Sequence, residues 1–121
     1  DIDHFKHIND TYGHLIGDDV LMAVTECMED NLRPTDTLGR WGGEEFLLVA
    51  HGTNLETATT LAERIRHAVE NKDFAPAGKV TISIGVTQFQ QHTTIAETFS
   101  AADKALYQAK ESGRNRVIEA Q

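Results

Sequence analysis

Two adjacent carboxylates, Glu44 and Glu45, follow a Gly42-Gly43 pair that separates Arg40-Trp41 from the apolar run Phe46-Leu47-Leu48-Val49. Gly-Gly between such segments signals a β-hairpin. A turn without Cβ atoms lets a bulky ligand approach the backbone, and an acid beside it can hold a hard cation against that ligand. The competing possibility is an ordinary hairpin with exposed acids on an edge strand. Asp1 ends what reads as another strand. If the two strands are neighbours, Asp1, Glu44 and Glu45 converge at one edge. Carboxylates without His or Cys partners suit Mg²⁺ or Mn²⁺ rather than zinc. The six histidines show no HxxxH spacing, and the single cysteine allows no CxxC pair. Neither G-x-x-x-x-G-K-[ST] nor G-x-G-x-x-G is present, so the two standard nucleotide cradles do not apply.

The elements that must position these residues are legible from periodicity. Asp1 to Phe5 reads as the tail of a strand and the chain as part of a larger domain. Lys6 to Tyr12 is a short helical turn closed by Gly13. Asp18 can cap a helix running to about Leu32, with Leu21, Val24, Met28 and Leu32 on one buried stripe; Pro34 stops it. Thr37 to Trp41 and Glu44 to Ala50 are the hairpin arms. Asn54 can cap a second long helix whose apolar face carries Leu55, Ala58, Leu61, Ala62, Ile65 and Val69. Lys79 to Val86 alternates strictly and is the clearest strand. A last long helix starts near Thr94, with Ile95, Phe99, Ala102, Leu106 and Ala109 as its stripe and Gly113 as its stop. Arg116-Val117-Ile118 is a short final strand. A hairpin within such an alternation predicts an α+β domain, a mixed central sheet with helices packed mainly on one face.

With 121 residues, the chain suits one domain with a real core. A formal net charge of −8 argues against general nucleic-acid or anionic-membrane binding, although local cations and backbone donors can still hold an anionic nucleotide. No apolar run is long enough to span a membrane. Cys27 lies on the apolar side of its helix and is a small core hydrophobe, compatible with a reducing compartment.

Six motifs in order carry a family resemblance: Asp1-Ile2-Asp3-His4-Phe5-Lys6; Ile8-Asn9-Asp10-Thr11-Tyr12-Gly13-His14; Gly17-Asp18; Gly42-Gly43-Glu44-Glu45-Phe46; Thr81 to Val86; and Ala102 to Lys110 with Gly113-Arg114-Asn115. The sequence resembles the GGDEF diguanylate cyclases, which condense two GTP into cyclic di-GMP. The resemblance implies a ferredoxin-like, nucleotidyl-cyclase (palm-type) fold. It also implies a single domain over residues 1–121 that lacks the family's N-terminal helix and most of its first strand. Asp1, the Ile2 carbonyl, Glu44 and Glu45 match the holders of Mg²⁺ or Mn²⁺, two ions per active site. Glu44 matches the proposed general base. Lys6, Lys110 and Arg114 match cations on the phosphates; solvated helix-end charges are the alternative. Asn9 and Asp18 match the guanine readers, an acid and an amide suited to the N1 and N2 donors of guanine. Phe5, His14 and Gly43 match further substrate contacts. Arg33-Pro34-Thr35-Asp36, spaced from Gly42 by Thr37 to Trp41, matches the R-x-x-D of an inhibitory product site, and Arg64 matches its secondary contact.

The implied partners are GTP, cyclic di-GMP, a second such domain facing the first, and an upstream sensory domain in a cytoplasmic output module. Two other possibilities differ in class: a non-catalytic module that senses GTP or cyclic di-GMP, and a nucleotide cyclase of other specificity. Retention of Gly42, Gly43, Glu44 and Glu45 disfavours the first, and Asn9 with Asp18 disfavours the second.

Overall fold

The structure, a computed structural model, describes residues 1–121. Its elements run α1 (Phe5–Tyr12), α2 (His14–Glu29), β1 (Thr37–Gly42), β2 (Glu45–Val49), α3 (Leu55–Glu70), β3 (Ile84–Val86), α4 (Ile95–Glu111) and β4 (Val117–Glu119). The expected alternation holds, as an α+β arrangement, except that the strand tail expected over Asp1 to Phe5 is only an isolated bridge at Ile2, and Phe5 already opens α1. No helix is long and apolar enough to cross a membrane.

Several boundaries differ from the sequence expectations. The second helix begins at His14 behind Gly13, so Asp18 lies within it and is not its cap. It ends at Glu29, leaving Leu32 in the following turn. Gly17, just before the expected cap, lies inside the helix, where a close neighbour leaves no room for a side chain. A Cβ there would sit 1.7 Å from Asn9 Oδ1. The buried stripe is otherwise the expected one, with Val20, Leu21, Val24 and Met28 facing inward. Asn54 caps α3 by accepting from Thr57 N–H at 2.8 Å, and Leu61, Ala62, Ile65 and Val69 are its buried face. Thr94 and Glu97 close a reciprocal capping box at the start of α4, which satisfies two otherwise unpaired N–H groups.

The buried face of α4 is smaller than its apolar stripe suggests. Ala105 and Ala109 are buried, whereas Ile95 is exposed. The cause is close approach: a Cβ on Gly85 would meet Ala102 O at 2.3 Å and Leu106 N at 2.5 Å. The helix backbone therefore lies directly on β3, and only small side chains fit between them.

The expected strand over residues 79–86 is paired as a ladder only at Ile84–Val86, parallel to Val117–Glu119. The earlier residues make isolated antiparallel bridges, Ile82 to Ile2 and Lys79 to Asp73. In place of one continuous sheet there are two two-stranded pairs, the antiparallel hairpin and the parallel β3–β4. Residues 1–3 connect them. Ile2 N–H donates to Glu44 O on the hairpin side at 3.2 Å, and Asp3 N–H donates to Thr81 O on the other at 2.9 Å. The core beneath joins Ile2, Ile8, Val24, Ile65, Val69 and Ile82, with Cys27 packed against its edge. Burial pushes the Cys27 thiol above its ordinary value, as expected of an inert core thiol.

An open, mostly apolar groove of about 1000 Å³ separates β2 from the 82–86 segment. Trp41 and Phe99 stand at its lining with ring centroids 5.4 Å apart.

Candidate active site

In the hairpin, Gly42 pairs with Glu45, so the turn residues are Gly43 and Glu44 and only Glu45 begins the strand. Gly43 has φ 44°, a left-handed conformation that glycine adopts without steric cost. Its carbonyl accepts from Arg40 Nε at 2.9 Å, fixing the turn from the far arm. Glu44 is half-buried and Glu45 exposed.

The Ile2–Glu44 backbone bond sets Asp1 beside this turn. Asp1 is held in place by exchanging two backbone bonds with Ser83, each 3.0 Å. Its carboxylate is 4% exposed and forms an ion pair with Lys110 from the last turn of α4. The other carboxylate oxygen, Oδ1, is buried without a partner. The expected convergence is therefore one of backbones. No three His, Cys, Asp or Glu side chains form a group that could hold a metal ion; one Asp1 oxygen is paired with Lys110. The donor chemistry still suits a hard divalent ion. The donor types at this edge, the unpartnered Asp1 Oδ1, the Ile2 carbonyl and the Glu44 and Glu45 carboxylates, are all oxygen.

The other expected residues fall into two groups. On α1 and α2, Phe5 packs against the core, and Asn9 is half-buried against Gly17. Lys6, His14 and Asp18 are exposed and form no side-chain hydrogen bond or ion pair. Arg114 is also exposed and lies just beyond α4, with φ 63°. The second group surrounds the loop after α2. Arg33 Nη2 meets Asp36 at 2.8 Å, and Asp36 also accepts the Arg33 backbone N–H at 2.9 Å. These bonds hold the Asp36 carboxyl below the usual carboxylate range. Arg64 reaches the same loop by donating to Asn31 O at 2.8 Å. Arg33 also donates to Thr53 Oγ1 at 2.6 Å and to His51 O at 3.2 Å, contacts that motif spacing does not reveal.

The family described as "Diguanylate cyclase, GGDEF domain" matches residues 1–116. The chain belongs to that family. The GGDEF relatives include "Diguanylate cyclase DgcM" of Escherichia coli (strain K12), 48% identical over 120 residues, 99% of this chain and 29% of the relative. The chain thus spans less than a third of that curated relative. Among solved structures, the active GGEEF domain of a diguanylate cyclase from Vibrio cholerae superposes with TM-score 0.93 at 37% identity, covering 100% of this chain and 79% of that one. The coiled coil and GGDEF domain of DgcB from Caulobacter crescentus, in complex with c-di-GMP, superposes with TM-score 0.93 at 32% identity, covering 99% and 66% respectively.

One GGDEF-domain residue that motif reading left without a role is Asp3. Its carboxylate is buried and accepts from Thr81 Oγ1 at 2.8 Å, Ser83 Oγ at 2.6 Å and Asn115 N–H at 3.0 Å. The sequence signal was the acid-apolar-acid order of Asp1-Ile2-Asp3, which sets a second carboxylate two residues from Asp1.

Proposed function

We propose that this chain is the catalytic domain of a diguanylate cyclase, binding one GTP and facing a second such domain to make cyclic di-GMP. The observation that carries the proposal is the edge where Ile2 N–H meets Glu44 O, which brings a partnerless carboxylate oxygen of Asp1 to a glycine turn. In each of two symmetric steps, a ribose 3′-oxygen attacks the α-phosphorus of the opposing GTP. The hydroxyl proton passes to the Glu44 carboxylate, with Glu45 beside it, and the bond to pyrophosphate breaks. Asp1, the Ile2 carbonyl, Glu44 and Glu45 would hold two Mg²⁺ or Mn²⁺ ions, which neutralise phosphate charge and stabilise departing pyrophosphate. Asn9 and Asp18 read guanine; Phe5, His14 and Gly43 line the nucleotide; Lys6, Lys110 and Arg114 meet the phosphates. The chain acts within a larger protein whose sensory segment and cytoplasmic setting belong to the same proposal.

Incubating the full-length protein with GTP and Mg²⁺ and resolving products by chromatography is the direct test. Cyclic di-GMP is expected. Tight GTP binding without turnover would mark a sensing module, and a mononucleotide product another cyclase. Glu44→Gln is expected to lower product formation by at least about 10²-fold, the range for a lost general base, while GTP affinity stays near that of the parent. A variant that still turns over at the parental rate would overturn the role of Glu44.

Arg33, Asp36 and Arg64 form the proposed product site. Arginine suits it because the guanidinium pairs with phosphate and stacks on a base. Arg33→Ala should leave initial turnover unchanged and relieve inhibition by added cyclic di-GMP. Unchanged inhibition would remove this assignment.

A further inference from the structure

We propose that Asn115 is a positioning residue that fixes the backbone of Arg114 and so aims its guanidinium at the phosphates of the bound nucleotide. The proposal rests on the reading of Arg114 as a phosphate cation and adds the device that holds it.

Three consecutive residues after α4 have positive φ: Gly113 at 124°, Arg114 at 63° and Asn115 at 46°. Side-chain-bearing residues occupy this region at a cost, and persist there when their surroundings over-determine them. The surroundings here converge on Asn115. Its N–H donates to Oδ2 of buried Asp3 at 3.0 Å. Its Oδ1 accepts from Arg66 Nη1 at 2.9 Å, and its Nδ2 donates to Glu70 Oε2. Arg66 and Glu70 sit one turn apart on α3 and pair with each other at 3.7 Å. The Asn115 amide also holds the Glu70 carboxyl below the usual carboxylate range.

One small side chain and one N–H therefore join three parts of the molecule: the strand segment that carries Asp1, the helix α3, and the loop that carries Arg114. Arg114 itself is anchored only through its main chain. Its N–H donates to Ala109 O at 2.9 Å and its carbonyl accepts from Arg116 Nε at 3.0 Å, so its guanidinium is uncommitted. A long side chain on an unfixed loop loses freedom when it captures an anion; a loop already fixed has paid that cost during folding. Asparagine tolerates a left-handed backbone at helix ends, and a cap alone would account for the φ value. It would not account for the paired contacts with Arg66 and Glu70.

The test uses the full-length protein with GTP and guanosine as probes, measured by titration calorimetry. Asn115→Gly keeps the backbone conformation accessible and removes the side-chain tethers; thermal unfolding of the variant checks that it is folded. GTP affinity is expected to fall roughly tenfold, within the range of coupling between residues in one network, while guanosine affinity stays unchanged. In an Arg114→Ala background, Asn115→Gly should cause no further loss. Equal weakening of GTP and guanosine, or full additivity with Arg114→Ala, would overturn the proposal. If Arg114→Ala weakens GTP and Asn115→Gly does not, the positioning role alone falls. If Arg114→Ala binds GTP like the parent, the phosphate role of Arg114 falls and takes the proposal with it.

Discussion

Asp36 accepts from the Nε and Nη2 atoms of Arg33 as well as from its backbone N–H, and these bonds hold its carboxyl below the usual range. Between that folded value and the unfolded one, about 3.9, the unfolded chain binds more protons, so stability rises with pH across the interval. The contribution is complete above the unfolded value and is lost as pH falls through the folded one. Asp36→Asn should therefore show a stability deficit that is constant at neutral pH and shrinks in acid, measured by denaturant unfolding at several pH values. The deficit should be small, because Arg33 is half exposed to water. A deficit that persists undiminished to pH 2 would mean that shape rather than charge supplies it. The R-x-x-D motif and its spacing from Gly42 were visible in the sequence, but the ion pair that Arg33 makes with Asp36 was not. Nor was the further contact of Arg33 with Thr53, twenty positions away, because nothing local encodes which turn packs over the loop.

At the scale of elements, Gly17 sets two effects against each other. In a helix interior, Gly→Ala favours folding by about 1 kcal/mol, yet here the new Cβ would overlap Asn9 Oδ1. The Asn9 side chain is the movable partner, so it should swing aside while α1 and α2 remain packed. Gly17→Ala is expected to change stability by less than about 2 kcal/mol and to lower the preference for GTP over ATP by roughly tenfold. An unchanged preference, measured by competition binding, would separate Asn9 from base recognition. The same glycine explains why the start of α2 was misread. Glycine usually punctuates, and only a tertiary neighbour shows that this one is interior. The α4 stripe holds at Phe99, Ala102, Leu106 and Ala109 and fails at Ile95; hydrophobic periodicity marks a buried face but does not reveal how close Gly85 lets the helix come.

For the whole molecule, element order and type were legible because amphipathic periods of 3.6 and 2 survive in nearly every segment. The edge proposed to hold metal was legible only as a meeting of backbones at Ile2 and Glu44. Which oxygen Lys110 takes and which it leaves depends on side-chain choices that no spacing encodes. The long strand expected at residues 79–86 shortened because a ladder needs a partner of equal length, and only Val117–Glu119 pairs with it over more than one residue, while Ile2 and Asp73 each make a single bridge. Asp3 reaches across the same distance. It joins Thr81, Ser83 and Asn115, the last 112 positions away in sequence. On a ribosome adding about 5–20 residues per second, Asp3 leaves the exit tunnel on the order of ten seconds before Asn115 is made. Through that interval its carboxylate keeps water in place of its final partners. The edge that would bind GTP thus remains open in the nascent chain until Thr81, Ser83 and Asn115 have all joined Asp3.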